Sequence, residues 1–427
     1  MSWILAFTSL AAVLPIAAAG CSCGSEETEG DAPEEDADAP DDQGTDLPGD
    51  DGTGDPAPDQ DVAPDEGPPD TPGEDGPPPD APPDEGGAED PADEEELPPA
   101  IEGCIAGTFQ PYWGNLHAHT SNSDGEGTPE QAFAWARDMA GLDILVVTDH
   151  LEYLILGDRW AGCGAQADAA YDPAGGFLAM CGFEYGTGRY LLVWSTGHAN
   201  VFFSDTLFPE LQIDFRDFYR SLVDCPLCIG QYNHPGDSEY EHWNHYEYYA
   251  DVDERMNLFE FNSGGPVWDL FFEALDAGWS ISPMFNQDNH GDDWGTKNDN
   301  RSGFFMADLT REAMRDAMLG RRSFATTDKN AWVKMTAEGT CWMGSMLRGV
   351  ASVSLEVEAV DADAGDTFTN VEIFGPGQTL IDTLACDGTE TCAVSFTSTA
   401  SPGLYLVARA HQTDGNWLIS APVWLEP

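Results

Sequence analysis

The hydrophobic pattern divides the chain into four stretches. Trp3 to Ala19 is one apolar run that ends in small residues ahead of Cys21. From Ser22 to about Pro99 apolar residues almost vanish from a background of Asp, Glu, Pro, Gly and Ala. Between about residues 104 and 338 short apolar runs alternate with amphipathic segments, and from 339 to 427 strand-like segments alone remain. Within the third stretch, Ile144 to Val147 is a short β-branched run of the kind found in strands buried on both faces. Before it, Thr128 can cap a helix with Gln131 at the capping-box position, Pro129 fits the first turn, and Gly141 ends the segment. With the strand pattern that precedes Thr128, this predicts a strand-helix-strand unit.

Further strand-like runs are "FLAMCGFE", "HANVFF", "CIGQYNH", "MNLFEFN" and "WSISPMFNQD". Helical patterns cover Val267 to Ala277 and Arg311 to Leu319, the latter between Thr310 and Gly320. Such alternation predicts a parallel α/β barrel over residues 104–338, with chemistry at the C-terminal strand ends; a doubly wound open sheet is the other architecture. Beyond it, "ASVSLEVEAV" alternates Val353, Leu355 and Val357, and "GLYLVARAHQTDGNWLISAPVWL" reads as two strands joined around Asp414-Gly415. A small antiparallel β-sandwich is therefore expected over residues 339–427, with a packing role.

Charge and composition change the picture mainly at the N-terminus. The first apolar run reads as a secretory leader over residues 1–20 rather than a retained membrane span. Its Ala18-Ala19-Gly20-Cys21 end resembles a bacterial lipoprotein signal, although the leader carries no Lys or Arg. The resemblance implies lipidation at Cys21 and a place in a bacterial cell envelope, anchored to the outer membrane or cell surface. An ordinary signal peptide is the alternative, and either one exports the protein. Of 78 acidic residues, 31 lie before residue 104, and the first basic residue is Arg137. Residues 21–103 thus read as a disordered, solvated tether without the spacing of an ordered calcium loop. The remaining 47 acids against 16 Lys and Arg exclude a nucleic-acid backbone as a natural partner, because that surface requires basic charge.

Ten cysteines in an exported chain predict disulfides. Cys386 and Cys392, flanking "DGTET", are the expected pair, while Cys225-Pro-Leu-Cys228 lacks a second such motif and suits a disulfide or two thiols better than zinc.

The polar exceptions to this pattern carry the chemistry. In "YWGNLHAHTSNSDG", His117 and His119 stand two residues apart, so on a strand both project from one face. Of nine histidines, six lie at or near predicted strand ends: His117, His119, His150, His198, His234 and His290. Asp124, Glu184 and Asp288 occupy comparable places. Imidazole and carboxylate ligands suit zinc, manganese or iron, and a carboxylate can bridge two ions. His242 and His245 read as surface histidines, and His411 on a sandwich strand reads as structural. Tyr240, Trp243, Tyr246, Tyr248 and Tyr249 either cap a pocket or pack on the body. Lys297 and Arg301 are either anion contacts or solvated loop charges.

Taken in order, "HAH", "SDG", "TDH", "FE", "GH", "NHP" and "DNH" resemble the metal-ligand motifs of the PHP (polymerase and histidinol phosphatase) superfamily, from about Pro111 to Met335. The segment "LTREAMRDAMLGRRSFATTDKNAWVKM" is similar to its CehA/McbA-like metallohydrolase branch. The resemblance implies a distorted (β/α)7 barrel holding two or three divalent metals, Zn, Mn or Fe. It places His117, His119, Glu184 and Asp288 on one ion, Glu184, His198 and His234 on a second, and Asp124, His150 and His290 on a third. Asp124 stands where many relatives have histidine. Glu184, His234 and Asp288 would be the catalytic residues, acting with a metal-activated water. The implied function is hydrolysis of a small phosphoester. A carboxylester or carbamate hydrolase, and a non-catalytic surface binding module with structural metals, are the alternatives. The expected partners are a small-molecule ester and, through the lipid only, a membrane; long nucleic acid is not expected.

Overall fold

Ten short strands frame the folded body between residues 110 and 326. They are β1 (Gln110–Asn115), β2 (Ile144–Val147), β3 (Leu178–Cys181), β4 (Phe183–Gly186), β5 (His198–Phe202), β6 (Ile229–Asn233), β7 (Met256–Phe261), β8 (Ser282–Phe285), β9 (Arg301–Met306) and β10 (Ser323–Thr326). The computed structural model describes residues 101–186, 197–209, 215–236, 243–261 and 267–427. The leader, Cys21 and the tether to residue 100 lie outside the described residues, as do Tyr240 and His242. No helix among the described residues is long and apolar enough to cross a membrane.

The fold is mixed α/β, rich in strands, and its pairing differs from a uniform (β/α)7 ring. One sheet runs β10-β9-β1-β2-β3 and a second runs β4-β5-β6-β7-β8. Pairing is parallel in β1-β2-β3 and β6-β7-β8 but antiparallel at β4-β5, β5-β6, β1-β9 and β9-β10. Residues 187–197 connect β4 to β5, and β5 runs antiparallel to β4. The two sheets meet at Gly182 between β3 and β4, where an added Cβ would lie 2.6 Å from the Val201 carbonyl oxygen. They meet again where Ser302 on β9 accepts from the Phe285 N–H at 3.0 Å and donates to Asn286 at 2.7 Å.

The helix Pro129–Asp138 forms as its sequence predicts. Thr128 and Gln131 make the reciprocal capping box, a device of about 1 kcal/mol, and Ala132, Phe133 and Ala136 bury against Leu145 and Val147 of β2. Period-two alternation then sorts the strands of the second sheet. Phe183, Tyr185, Ala199, Val201, Tyr232, Phe259, Phe261 and Phe285 face one aromatic-rich cluster, while their neighbours Glu184, Asn200, Gln231, Asn233, Glu260 and Asn286 form a buried polar layer. Below that layer Phe202, Ile229, Leu258 and Met284 join Ile144, Val146 and Leu178 in an apolar floor, closed by Met314, Ala317 and Met318 of the helix Arg311–Leu319.

The C-terminal strands form two sheets over a second core. Trp332–Ala337 pairs with Ser352–Val360, which pairs with Thr391–Thr399, so this sheet begins upstream of residue 339. The facing strands Leu404–Gln412 and Trp417–Ser420 pair antiparallel across Asp414-Gly415, and Trp417–Ser420 continues onto β10. Val353, Leu355 and Val357 alternate inward as the sequence predicts. Cys386 and Cys392 lie at disulfide distance, as do Cys104 and Cys341, Cys163 and Cys181, and Cys225 and Cys228.

Candidate metal centre

Strand ends on one rim of the two sheets deliver the polar residues. His117 and His119 follow β1, His150 follows β2, Glu184 sits in β4, His234 follows β6, and Asp288 and His290 follow β8. His198 opens β5 and reaches the same rim from an N-terminal end, because that strand runs the other way. Backbone contacts set the approach: His119 N donates to the Asn289 carbonyl at 3.0 Å, and Glu184 N to the Asp149 carbonyl at 3.1 Å.

Glu184 is fully buried and central. Its Oε1 lies 3.1 Å from His198 Nδ1, 3.1 Å from His234 Nε2 and 3.4 Å from His117 Nε2. Its Oε2 lies 3.0 Å from His150 Nδ1 and 3.4 Å from His119 Nε2. Asp288 Oδ1 adds contacts of 3.2 Å to His117 Nε2 and 3.1 Å to His119 Nε2. Asp124 Oδ1 stands 3.3 Å from His290 Nε2, 3.6 Å from His150 Nε2 and 4.0 Å from His119 Nδ1. All nine residues predicted from sequence as ligands are thus brought together.

Their grouping differs in detail from the expected partition. Three sets have ligand atoms mutually within 4.8 Å: His117 with His119 and Asp288, His117 with Glu184 and His234, and His119 with Asp124, His150 and His290. His198 touches Glu184 but stands outside these sets, and both His117 and His119 belong to two.

The donor chemistry fits divalent metals. Glu184 Oε2 and Asp288 Oδ1 are buried and accept no well-formed hydrogen bond, although imidazole nitrogens lie within 3.4 Å. His117 and His119 turn their Nε2 atoms toward each other at 3.2 Å. Imidazole nitrogens and carboxylate oxygens that converge on one point are arranged as ligands of a cation are. Burial disfavours charge on Glu184, yet His117 and His198 hold its carboxyl well below the usual range. Burial likewise opposes the His117 imidazolium, but Asp288, Glu260 and Glu184 raise its pKa well above the ordinary value. Burial lowers the pKa of His119.

Outer contacts hold this set in place. Glu260, which the sequence reading passed over inside "MNLFEFN", lies with its oxygens 3.0 and 3.2 Å from His117 Nδ1 and accepts from His234 N at 2.7 Å and Asn286 Nδ2 at 2.9 Å. Asp149 accepts from Thr120 N, Thr120 Oγ1 and Ser123 Oγ at 2.6 to 2.7 Å and so shapes the loop that presents Asp124. Gly125 is required there, since a Cβ would lie 2.6 Å from the His119 carbonyl carbon. His234 and Asp288 adopt φ of 26° and 42°, a conformation that costs on the order of 1–3 kcal/mol in a non-glycine residue and persists only where surroundings enforce it. A charged or amide residue of inward parity in an otherwise apolar strand was the available signal for Glu260, Gln231 and Asn233.

Comparison with known proteins gives distant likenesses. No protein-family profile matches the chain, and no curated protein matches it. Among solved structures it is similar to a two-domain protein of Bacteroides vulgatus containing a predicted PHP-like metal-dependent phosphoesterase, at 18% identity over 74% of this chain and 95% of that one, with a TM-score of 0.42. PsfC of Pseudomonas syringae aligns at 13% identity over 49% of this chain and 88% of its own, with a TM-score of 0.32. A lesion-specific endonuclease of Pyrococcus furiosus aligns at 14% identity over 61% and 62%, with a TM-score of 0.37.

The remaining candidates fall outside the centre. Arg301 is 4% exposed and donates to the Asn298 and Asn300 carbonyls at 3.0 and 2.7 Å, so it shapes its loop rather than meeting an anion. Lys297 Nζ donates to the Gln287 carbonyl at 3.0 Å and lies 3.4 Å from that of Asp288. Trp243 and Tyr246 are fully buried, with Trp243 stacked on Tyr219 at 5.7 Å, which makes them aromatic core rather than a cap. His245 is exposed beside Glu273 at 3.2 Å, and His411 pairs with Glu372 at 2.9 Å on its sandwich strand.

Proposed function

We propose that the chain is a metal-dependent hydrolase of the PHP kind that cleaves small phosphoesters, exported and held at a bacterial membrane by a lipid on Cys21. The observation that carries the enzymatic reading is the shared carboxylate. Glu184 turns one oxygen toward His117, His198 and His234 and the other toward His119 and His150, as a bridge between two ions would. A purely structural site has no need of shared ligands.

His117, His119 and Asp288 with one oxygen of Glu184 would hold one metal, and His198 and His234 with its other oxygen a second. Asp124, His150 and His290, with His119, would hold a third. Such metals supply Lewis acidity toward a phosphoryl oxygen and an activated water at neutral pH. Glu260 fixes the His117 ring, accepting at Nδ1 so that Nε2 faces the centre. Asp288, Asp124 and His290 have side chains 33%, 41% and 39% exposed, whereas those of Glu184 and His117 are at most 1% exposed. Substrate therefore approaches over the Asp124, His290 and Asp288 side. The surrounding body is acidic, and Lys297 is occupied by loop carbonyls, which favours a small substrate over an anionic polymer.

Metal analysis of the purified chain, together with turnover of phosphomonoesters, phosphodiesters and aryl carboxylesters, tests this reading. Two or more metal equivalents and metal-dependent phosphoester turnover are expected. Cleavage of carboxylesters alone would move the assignment to that class, and metal content without turnover would make the site structural.

A further inference from the structure

Away from the histidine centre, the described residues assemble one more carboxylate cluster. Asp328, Asp361 and Asp366 each place an oxygen within 4.8 Å of the other two. Asp328 comes from the turn after β10, and Asp361 and Asp366 from the turn "DADAGD" between two sandwich strands. Asp328 is 6% exposed and Asp361 4%. Burial raises the Asp361 pKa, and the charges of Asp328 and Asp366 push it the same way. Asp328 Oδ1 accepts from Asn330 N and Ala331 N at 2.9 and 3.1 Å, and Asp361 Oδ1 from Asp363 N at 2.7 Å. Arg301 and Lys329 feel the Asp328 charge, but among the described residues no Lys or Arg forms an ion pair with any of the three, and Lys329 pairs instead with Asp363 at 3.2 Å. Like charges gathered out of water call for a cation.

A separate observation points to the same ligand. Gln412, 4% exposed at the end of the strand Leu404–Gln412, brings its amide to the cluster, with Nε2 donating to Asp361 Oδ2 at 2.5 Å. Its Oε1, on the same amide, is buried without a hydrogen-bond partner. An orphaned buried amide oxygen is costly, and a cation bound by the neighbouring carboxylates would satisfy it. The donors are carboxylate and amide oxygens only, with no nitrogen or sulfur, a set that suits calcium rather than the transition metals favoured by the histidine centre.

We propose that Asp328, Asp361, Asp366 and Gln412 bind one calcium ion, which ties the turn after β10 to the sandwich and stabilises the body without entering the chemistry. Calcium titration of the full chain by calorimetry, after chelator treatment, tests this against Asp366→Asn. Asp366 is half-buried and makes no side-chain hydrogen bond among the described residues, so that variant should fold, and Asp361→Asn serves as the second. The wild type should bind one more calcium than either variant, or bind it at least tenfold more tightly, and calcium should raise its melting temperature more than theirs. Weak calcium binding by the acidic N-terminal stretch is common to all three and cancels. The transition-metal content of the three proteins as purified, before chelation, should be equal. Equal calcium stoichiometry and affinity in wild type and Asp366→Asn, no melting shift with calcium in the wild type, or a variant purified with less transition metal than the wild type would each overturn the proposal.

Discussion

Replacing Glu260 by Gln tests whether the outer carboxylate positions the centre. Glu260 uses both oxygens: Oε1 lies 3.0 Å from His117 Nδ1 and accepts from Asn286 Nδ2, and Oε2 accepts from His234 N. Glutamine offers one oxygen and one NH2 in the same volume. Whichever way the amide turns, a donor meets a donor, either at His234 N or at His117 and Asn286. A buried donor left without an acceptor costs about 1–3 kcal/mol, which in a body of this size lowers the melting temperature by several degrees. Loss of an outer partner to a ligating histidine lowers metal affinity by roughly 10–100-fold. Calorimetry and competition with a chromogenic chelator read the two effects separately. A variant with wild-type melting temperature and metal affinity within twofold would refute the positioning role.

Glu184→Gln should lose both bound metal and turnover, whereas His411→Ala, whose ring pairs with Glu372, should retain both; equal metal content in wild type and Glu184→Gln would remove the bridging assignment. Asp143 accepts from Trp113 N at 2.8 Å, and burial pushes its carboxyl up to about 6. A folded-state pKa above the unfolded value favours the protonated native state, so stability falls as pH rises from about 4 to 6 and stays lower above that. Asp143→Asn should therefore gain up to about 3 kcal/mol at pH 8 and little near pH 4, and a gain independent of pH would contradict this. Long nucleic acids should be poor substrates, and any cleavage of them should rise with added salt as repulsion is screened over a Debye length of about 8 Å; a steep fall with salt would indicate a basic groove instead.

Elements governed by local rules were legible in the chain. Thr128, Pro129 and Gln131 specify a helix start through bonds within one turn, and Val353, Leu355 and Val357 specify a half-buried strand through parity. The nine ligand candidates were legible because imidazoles and carboxylates at strand ends are chemically conspicuous against apolar runs. Pairing direction was not, since β5 runs antiparallel to both β4 and β6, and strand composition alone does not encode which neighbour it meets. Glu260 and the amides Asn200, Gln231, Asn233 and Asn286 read as blemishes in apolar strands until five strands set them in one layer beneath the histidines. Asp328, Asp361, Asp366 and Gln412 lie far apart along the chain and share a cluster only where β10 receives Trp417–Ser420 and the sandwich closes beside it. Sequence thus settles which groups can ligate and which segments can form. Their convergence depends on long-range pairing, whose energy comes from burying faces that no single segment can bury alone.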